Sequence, residues 1–271
     1  MQSRPFEAPE LNPAANGLYN ATTWFETDAG APSRFLGAGV QIRPHNFGGE
    51  DAFGVWGAGW CAQLDDLTED DVKDGERPTG LDPFEPMVVW AYDQCDLTLP
   101  SQREVRERAA QNMRLLEQNA VEHEFAERLL TDIADQGISP LPTIPIVGLG
   151  PVPSITLSVA HIETEFAKTN TIGLIHAAPK HAAFAVQAGV AIRSGTKYVS
   201  PLGHQWVFGG GYVDVLGNGT IDLVGTSPTF GWRDDVQVRD TIKQEWNQYV
   251  AVAERAVLVG YEMIIAAAAV S

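Results

Sequence analysis

The fold is decided by one uninterrupted stretch, SQREVRERAAQNMRLLEQNAVEHEFAERLLTDIADQ, which occupies residues 101–136. Its thirty-six residues include neither glycine nor proline, the two residue types least compatible with a helix interior. A continuous helix of this length would reach about 54 Å, which exceeds the width of a compact domain of this size. We therefore expect something outside the subunit to cover part of the helix.

The limits of this helix are marked by typical capping residues. Ser101 follows Pro100 and has Glu104 three residues later, which predicts a capping box with Ser101 as the N-cap. Gly137 and Pro140 predict the end. The apolar residues before and after residue 120 fall on different sides of a helical projection. We expect no single stripe to be buried throughout, with one half of the helix packing on the body and the other on something else.

Two aromatic and β-branched segments precede the helix and flank a polar stretch. This pattern predicts a long antiparallel hairpin over residues 46–97. The segments contain Phe47, Phe53, Val55, Trp56 and Trp60, and then Met87, Val88, Val89, Trp90 and Tyr92.

The hairpin tip is acidic. Residues 65–76 contain seven carboxylates and one cation, Lys73. They are Asp65, Asp66, Glu69, Asp70, Asp71, Asp74 and Glu76. A calcium loop is one interpretation, but the spacing of an EF-hand, with its central glycine and closing glutamate, is absent. A solvated or partner-facing loop is the favoured interpretation.

The composition describes an acidic globular protein. Hydrophobic residues make up 44% of the 271 residues, and the net charge is −17. Such a surface repels free nucleic acid and anionic membranes, which argues against sequence-specific DNA binding. No run of eighteen apolar residues and no signal-peptide core is present, so we expect no membrane association and synthesis in the cytoplasm. Cys61 and Cys95 lie on opposite arms of the predicted hairpin. We expect them to be free thiols, and a disulfide between them is the alternative.

Residues 1–45 form a segment rich in proline, asparagine and glycine, with scattered aromatic residues and no helical or strand period. A segment of this composition does not build its own core. We therefore expect this arm to lie along the surface of a neighbouring subunit.

The second half of the chain alternates helical and strand patterns. Helices are predicted at residues 154–168 and 179–189, with a short strand at 171–176. Strands at 204–215 and 220–225 flank the turn signal Gly217–Asn218–Gly219, which predicts a hairpin. Three further strands are predicted at 236–242, 249–252 and 256–270.

Recognisable catalytic patterns are absent. The run Gly148–Leu149–Gly150 is followed by prolines where a dinucleotide-binding helix should open, and no phosphate-binding loop or nucleophile elbow exists. His123 lacks the second histidine of a zinc protease helix, and His176 with His181 lacks a third ligand. Three carboxylates on the long helix are interpreted as a solvated face, namely Glu122, Glu124 and Glu127. We expect no catalysis, cofactor or metal.

The order of these parts resembles the major capsid proteins of tailed bacteriophages, which have the Hong Kong phage-type shell fold also used by encapsulins. The closing segment AERAVLVGY at 253–261 is similar to the family's last peripheral-domain strand. IHAAP at 175–179 and residues 203–212 resemble axial-domain segments of actinobacteriophage capsid proteins.

The resemblance implies an α+β fold with five parts. These are an N-terminal arm (1–45), an E-loop hairpin with its base (46–100), a spine helix of the peripheral domain (101–140), a mainly axial domain (141–245) and a closing peripheral strand (246–271).

The resemblance also implies function and partners. The chain would assemble as hexamers and pentamers into an icosahedral head in the host cytoplasm, around double-stranded DNA that it binds without sequence specificity. Portal, scaffolding and decoration proteins would be partners; because Met1 leads directly into the arm, a separate scaffold or none is expected. The alternatives are an encapsulin-like compartment and a soluble α/β enzyme with an unrecognised site.

Five aromatic residues are predicted to contact neighbouring subunits instead of packing into the core of their own subunit, because a two-stranded hairpin buries little apolar surface by itself. They are Trp56, Trp60, Trp90, Trp24 and Phe25. Some family members join neighbouring subunits by a lysine–asparagine bond. The resemblance assigns those roles to Lys73 and Asn247, with Ala253 where the assisting glutamate would stand.

Overall fold

A computed structural model describes residues 6, 8–26, 37–48, 52–68, 71, 73, 75–140, 154–217 and 220–270. It confirms the α+β class. The helices of these residues are α1 (Leu18–Ala21), α2 (Leu99–Asp135), α3 (Ser154–Thr169) and α4 (Lys180–Gln187). The strands are β1 (Thr23–Glu26), β2 (Met87–Cys95), β3 (Leu174–Ala177), β4 (Ile192–Ser194), β5 (Lys197–Val199), β6 (Gln205–Phe208), β7 (Leu223–Thr226), β8 (Thr229–Arg233), β9 (Gln237–Lys243), β10 (Gln248–Tyr261) and β11 (Ile264–Ala268).

The long helix α2 exists as predicted but begins three residues earlier. Thr98 is the N-cap, so the prediction of Ser101 as the cap is wrong. Proline is tolerated in the first turn of a helix, where its missing N–H would have no intrahelical partner, and Pro100 therefore lies inside α2. Gly137 ends the helix with a φ of +64°, a left-handed conformation that glycine adopts without strain.

A stripe of buried residues runs along the whole length of α2 and packs on this same chain, so the prediction that one half packs on something else is wrong, although no single side of the helix is buried throughout, as predicted. Buried side chains recur every four residues, at positions 101, 105, 109, 113, 117, 121, 125, 129 and 133. Each step of four residues turns about 40° beyond a full turn. The stripe therefore winds round the helix, and different elements of the same chain cover it: β2 and β10 first, then the 3₁₀ turn Gly210–Tyr212 and β11.

β10 is the central strand of the first sheet. This strand pairs antiparallel with β2, β8 and β9, while β1 pairs parallel with β8. The predicted hairpin over residues 46–97 is wrong in its pairing, because β2 pairs with β10 and the first predicted arm contains no strand among its described residues. An isolated two-stranded hairpin buries too little apolar surface to be stable, whereas β10 offers β2 a partner that α2 covers.

The second sheet has the order β11-β7-β3-β6-β5-β4. β3 is buried on both faces: Leu174 belongs to the core beneath α2, and Ile175 belongs to a second core with α3 and α4. The predicted helices at 154–168 and 179–189 are confirmed. The predicted hairpin of residues 204–225 is wrong, because β6 and β7 lie on opposite sides of β3 instead of pairing with each other.

The predicted segments 141–245 and 246–271 each contribute strands to both sheets. The predicted closing segment contains two strands, of which β10 lies in the first sheet and β11 in the second. β8 and β9, within the range predicted as mainly axial, share the first sheet with β10.

The described part of the N-terminal arm lies on its own chain, contrary to the prediction of a neighbour's surface. Leu18 is fully buried in the core beneath α2. Leu11 accepts a hydrogen bond through its backbone oxygen from the Gln111 side chain at 2.8 Å, and Arg114 forms an ion pair with Glu10 at 3.5 Å. The arm thus covers part of the helix that was expected to need an external partner.

Several sequence predictions lie outside the described residues. They concern the acidic residues Glu69, Asp70 and Asp74, the run Gly148–Leu149–Gly150, and Asn218 and Gly219.

Candidate functional site

Among the described residues, several of the most exposed large apolar side chains lie on a long loop, residues 41–83. Backbone hydrogen bonds in both directions between Val40 and Phe84, of 2.9 and 3.0 Å, close its base. Large apolar side chains of the loop project into solvent, with Trp60 fully exposed. They are Phe53, Val55, Trp56, Trp60 and Leu64.

Arg128 of α2 anchors the returning end of the loop. Its guanidinium group donates hydrogen bonds to the backbone oxygens of Pro83 and Asp82, at 3.1 and 2.7 Å. The Arg128 Nε atom donates to Asp132 at 2.7 Å, which fixes the orientation of the group. The loop base is therefore attached to a rigid helix.

Glu262, at the end of β10, anchors the outgoing end of the loop. Its buried carboxylate accepts hydrogen bonds from the Asn46 backbone N–H at 2.6 Å, from the Asn46 side chain at 2.8 Å and from the His45 backbone N–H. Burial raises the pKa of Glu262, but these hydrogen bonds outweigh burial and lower it below the usual value. The ionised carboxylate is thus part of the loop base.

The loop also has internal contacts. The Lys73 ammonium lies 4.4 Å from the centroid of the Trp56 ring. A 3₁₀ turn, Leu64–Asp66, is closed by the Asp66 carboxylate, which accepts a hydrogen bond from the Gln63 backbone N–H at 2.9 Å. The loop therefore has local order, although its aromatic side chains remain exposed.

A second exposed apolar surface lies on the first sheet, on the face away from α2. Trp90 and Val88 of β2 point outward, with exposures of 65% and 63%, beside Glu254 and Ala256 of β10. Trp246, at the turn between β9 and β10, is 71% exposed. Trp246 was not predicted from the sequence as a contact residue. The feature that could have identified it is an aromatic residue next to a polar turn.

Phe25 and Trp24 lie on β1. Phe25 stacks on Trp232 with centroids 5.5 Å apart and remains 45% exposed. Trp24 packs against the chain's own core, donates through Nε1 to the Tyr19 backbone oxygen at 3.0 Å, and has the Arg233 guanidinium 4.4 Å from its ring. Four of the predicted contact residues are thus accessible to another copy of the chain, namely Trp56, Trp60, Trp90 and Phe25. Trp24 instead packs mainly against the core of its own subunit.

A buried carboxylate joins the arm to α2. Glu122 accepts hydrogen bonds from the Leu18 backbone N–H at 2.8 Å and from the Gly211 backbone N–H at 3.0 Å. It is fully buried, so its assignment to a solvated face is wrong. Burial raises the pKa of Glu122, and the backbone hydrogen bonds act against that rise.

A second buried charge, Glu117 of α2, pairs with Arg255 of β10. The two side chains form a bidentate ion pair with distances of 2.8 and 2.6 Å. The Tyr19 hydroxyl also donates to Glu117, so the carboxylate joins the arm, the helix and the sheet. Glu117 was not selected from the sequence, although it lies within the buried stripe that a four-residue period would have shown.

The histidines His176 and His181 do not come together. His176 is fully buried, with Nε2 2.8 Å from the Thr226 hydroxyl and Nδ1 3.0 Å from the Tyr212 hydroxyl. Because the Thr226 hydroxyl donates to a backbone oxygen, it accepts from His176, which places the proton on Nε2. Burial lowers the pKa of His176 to about 3, so the ring is neutral and serves packing.

The remaining predicted site residues are separate surface groups. Asn247 is exposed, with a φ of +50°, at the turn between β9 and β10. Cys61 and Cys95 are exposed free thiols, in agreement with the interpretation that no disulfide joins them. No helix within the described residues combines the length and apolar character needed to cross a membrane.

No protein-family model and no curated protein matches the sequence. Solved structures match over nearly the whole chain. A chain from the capsid of an empty GTA particle computed with C5 symmetry is 11% identical with a TM-score of 0.54, over 99% of this chain and 94% of that one. A chain from a virus-like particle of Pyrococcus furiosus is 9% identical with a TM-score of 0.52, over 95% and 92%. A chain from Microbacterium phage Oxtober96 is 11% identical with a TM-score of 0.50, over 99% and 94%.

At these identities the likeness establishes the fold. The chain has the Hong Kong phage-type shell fold that the sequence resemblance implied. The match covers nearly the whole chain and is therefore not limited to one of the two sheets.

Proposed function

We propose that this chain is the major capsid protein of a tailed bacteriophage. It assembles in the host cytoplasm, as hexamers and pentamers, into the icosahedral head that encloses double-stranded DNA. Two observations support this function: the fold is shared with a chain from a GTA capsid, and accessible apolar groups lie at two separate places. The role is structural and does not include catalysis.

The long loop carries the proposal. Its base is held by Arg128 and Glu262, while Trp60 and its apolar neighbours have no cover from the described part of the chain. Apolar surface that a soluble protein leaves exposed in this way is typical of protein interfaces. Quasi-equivalent rings need contacts that tolerate small differences in angle, and a loop fixed only at its base provides them.

Assembly can be tested on the full-length chain by negative-stain microscopy and gradient sedimentation. We expect closed particles for the wild type, and only rings or single subunits for Trp60→Ser and for deletion of residues 66–80. Ile172→Ser is the matched control, because Ile172 is also exposed but lies in the turn before β3. Unchanged particles in the Trp60 and deletion variants would remove the loop from the interface.

An encapsulin-like compartment is the second candidate function, favoured by the match to the virus-like particle of Pyrococcus furiosus. The contents of the particles distinguish the two. Nuclease-protected DNA in particles from an infection supports the phage head, whereas particles filled with a specific protein support a compartment. A small, catalytically active oligomer that never forms particles would support a soluble enzyme instead.

Partners and covalent stabilisation are further parts of the proposal. Portal, scaffolding and decoration proteins would act with the shell, while DNA would be enclosed without sequence-specific binding by the acidic subunit. A bond between Lys73 of one copy and Asn247 of another remains a prediction. Ladders of linked subunits on a denaturing gel, absent in Lys73→Arg, would support it.

A further inference from the structure

Three potential metal ligands lie close together on an exposed side of α2. His123 Nδ1 lies 3.9 Å from Glu124 Oε1 and 4.0 Å from Glu127 Oε1. One ligand atom of each residue lies within 4.8 Å of the other two. Residues four positions apart share one side of a helix, which places His123 above Glu127, and Glu124 adjoins them.

The charges around this cluster are unbalanced. Among the described residues, neither Glu124 nor Glu127 forms an ion pair with lysine or arginine. Arg128 follows Glu127 directly, but its guanidinium group donates to Asp132 and to the base of the long loop instead. Among the described residues, the two carboxylates therefore lie near one imidazole without forming an ion pair with a permanently charged cation.

We propose that His123, Glu124 and Glu127 form a binding site for a divalent transition-metal cation of the zinc class. Zinc binds imidazole nitrogen and carboxylate oxygen at about 2.0–2.2 Å, so donors in a tetrahedral site lie about 3.4 Å apart. The observed separations of 3.9 and 4.0 Å are within a small side-chain rotation of this value. All three side chains are partly or well exposed, which gives them room to rotate.

The donor set determines which cation fits. Magnesium and calcium prefer oxygen ligands alone, whereas an imidazole nitrogen with carboxylates suits zinc, cobalt or nickel. Three ligands from one helix leave the fourth position to water.

Zinc titration of the chelator-treated full-length chain, in excess magnesium and followed by calorimetry, tests the site. His123→Ala and Glu127→Gln should weaken zinc binding by at least about 10-fold, the smaller of the losses known for changes around metal sites. Glu107→Gln is the matched control, since Glu107 is exposed on the same helix and pairs with Arg103 at 3.8 Å. It should bind zinc like the wild type.

Cobalt absorption supplies a second measurement. Wild-type protein should show the visible bands of a cobalt–imidazole site, and His123→Ala should lose them while its circular dichroism retains the helix. Zinc affinity that is the same in wild type and His123→Ala, or no zinc binding by the wild type, overturns the proposal. The cluster is then a group of exposed, solvated side chains only.

Discussion

Arg128 lies over Phe84, with the guanidinium carbon 4.4 Å from the ring centroid. Phe84 is buried and also packs edge-on against Tyr261 of β10, with ring centroids 5.1 Å apart. The returning end of the long loop is thus held between the long helix and the central strand of the first sheet. The loop is attached to the two elements that form the main core, while its exposed apolar side chains, such as Trp60, are available to a partner.

Replacing Arg128 by methionine should lower the free energy of unfolding of the subunit by about 1–3 kcal/mol, since hydrogen bonds from a charged group to Asp82, Pro83 and Asp132 are lost. Urea unfolding of unassembled subunits measures this. Arg103→Met is the control, because its pair with Glu107 is exposed and should contribute at most about 0.5 kcal/mol. Equal losses in the two variants would contradict the anchoring role.

Arg255 and Arg239 allow a comparison of ion pairs on one sheet. Arg255→Met leaves Glu117 buried without its charge partner, and we expect a loss of about 3–5 kcal/mol. Arg239 pairs with Glu254 at 2.8 Å on the exposed face, and Arg239→Met should cost less than about 1 kcal/mol. Denaturant midpoints measure both, and a cost for Arg239 that matches the Arg255 cost would refute the burial argument.

Glu262 should make stability depend on pH. Its pKa is lower in the folded chain than the unfolded value of about 4.3, so the ionised group stabilises the fold above that pH. This contribution disappears as the pH falls through the lower folded pKa. Glu262→Gln should therefore be less stable than the wild type at pH 7, with a difference that shrinks between about pH 5 and pH 3.

Thermal unfolding across this pH range measures the effect of Glu262. A difference between wild type and Glu262→Gln that stays constant with pH would show that the carboxylate charge does not hold the loop base.

Gly211 should tolerate no side chain. A Cβ atom at this position would lie 2.1 Å from the Asn119 backbone oxygen and 2.8 Å from the His123 backbone nitrogen. Gly211→Ala must move the 3₁₀ turn away from α2, and we expect a loss of about 1–3 kcal/mol. Gly57→Ala is the control, since nothing lies within 4 Å of that Cβ position. It should change stability by less than about 1 kcal/mol, as measured by urea unfolding.

The sequence alone determined the fold class and the helices α2, α3 and α4, but not the short helix α1. The run without glycine or proline at residues 101–136 fixed α2, because helix formation depends on local backbone freedom and on the spacing of side chains along the chain. The same local rules predicted the ends of α3 and α4 to within two residues. The order of these elements, together with the segment at 253–261, was sufficient to indicate the shell fold.

Only the tertiary structure decided which strands pair and which charges are buried. β2 pairs with β10, more than 150 residues away, because hydrogen bonding and burial against α2 select a partner without regard to sequence separation. Glu117, Glu122 and Glu262 resemble surface residues in the sequence, but Arg255 and backbone N–H groups from distant segments make their burial possible. Such partners become neighbours only when the chain has folded, so no local pattern encodes them.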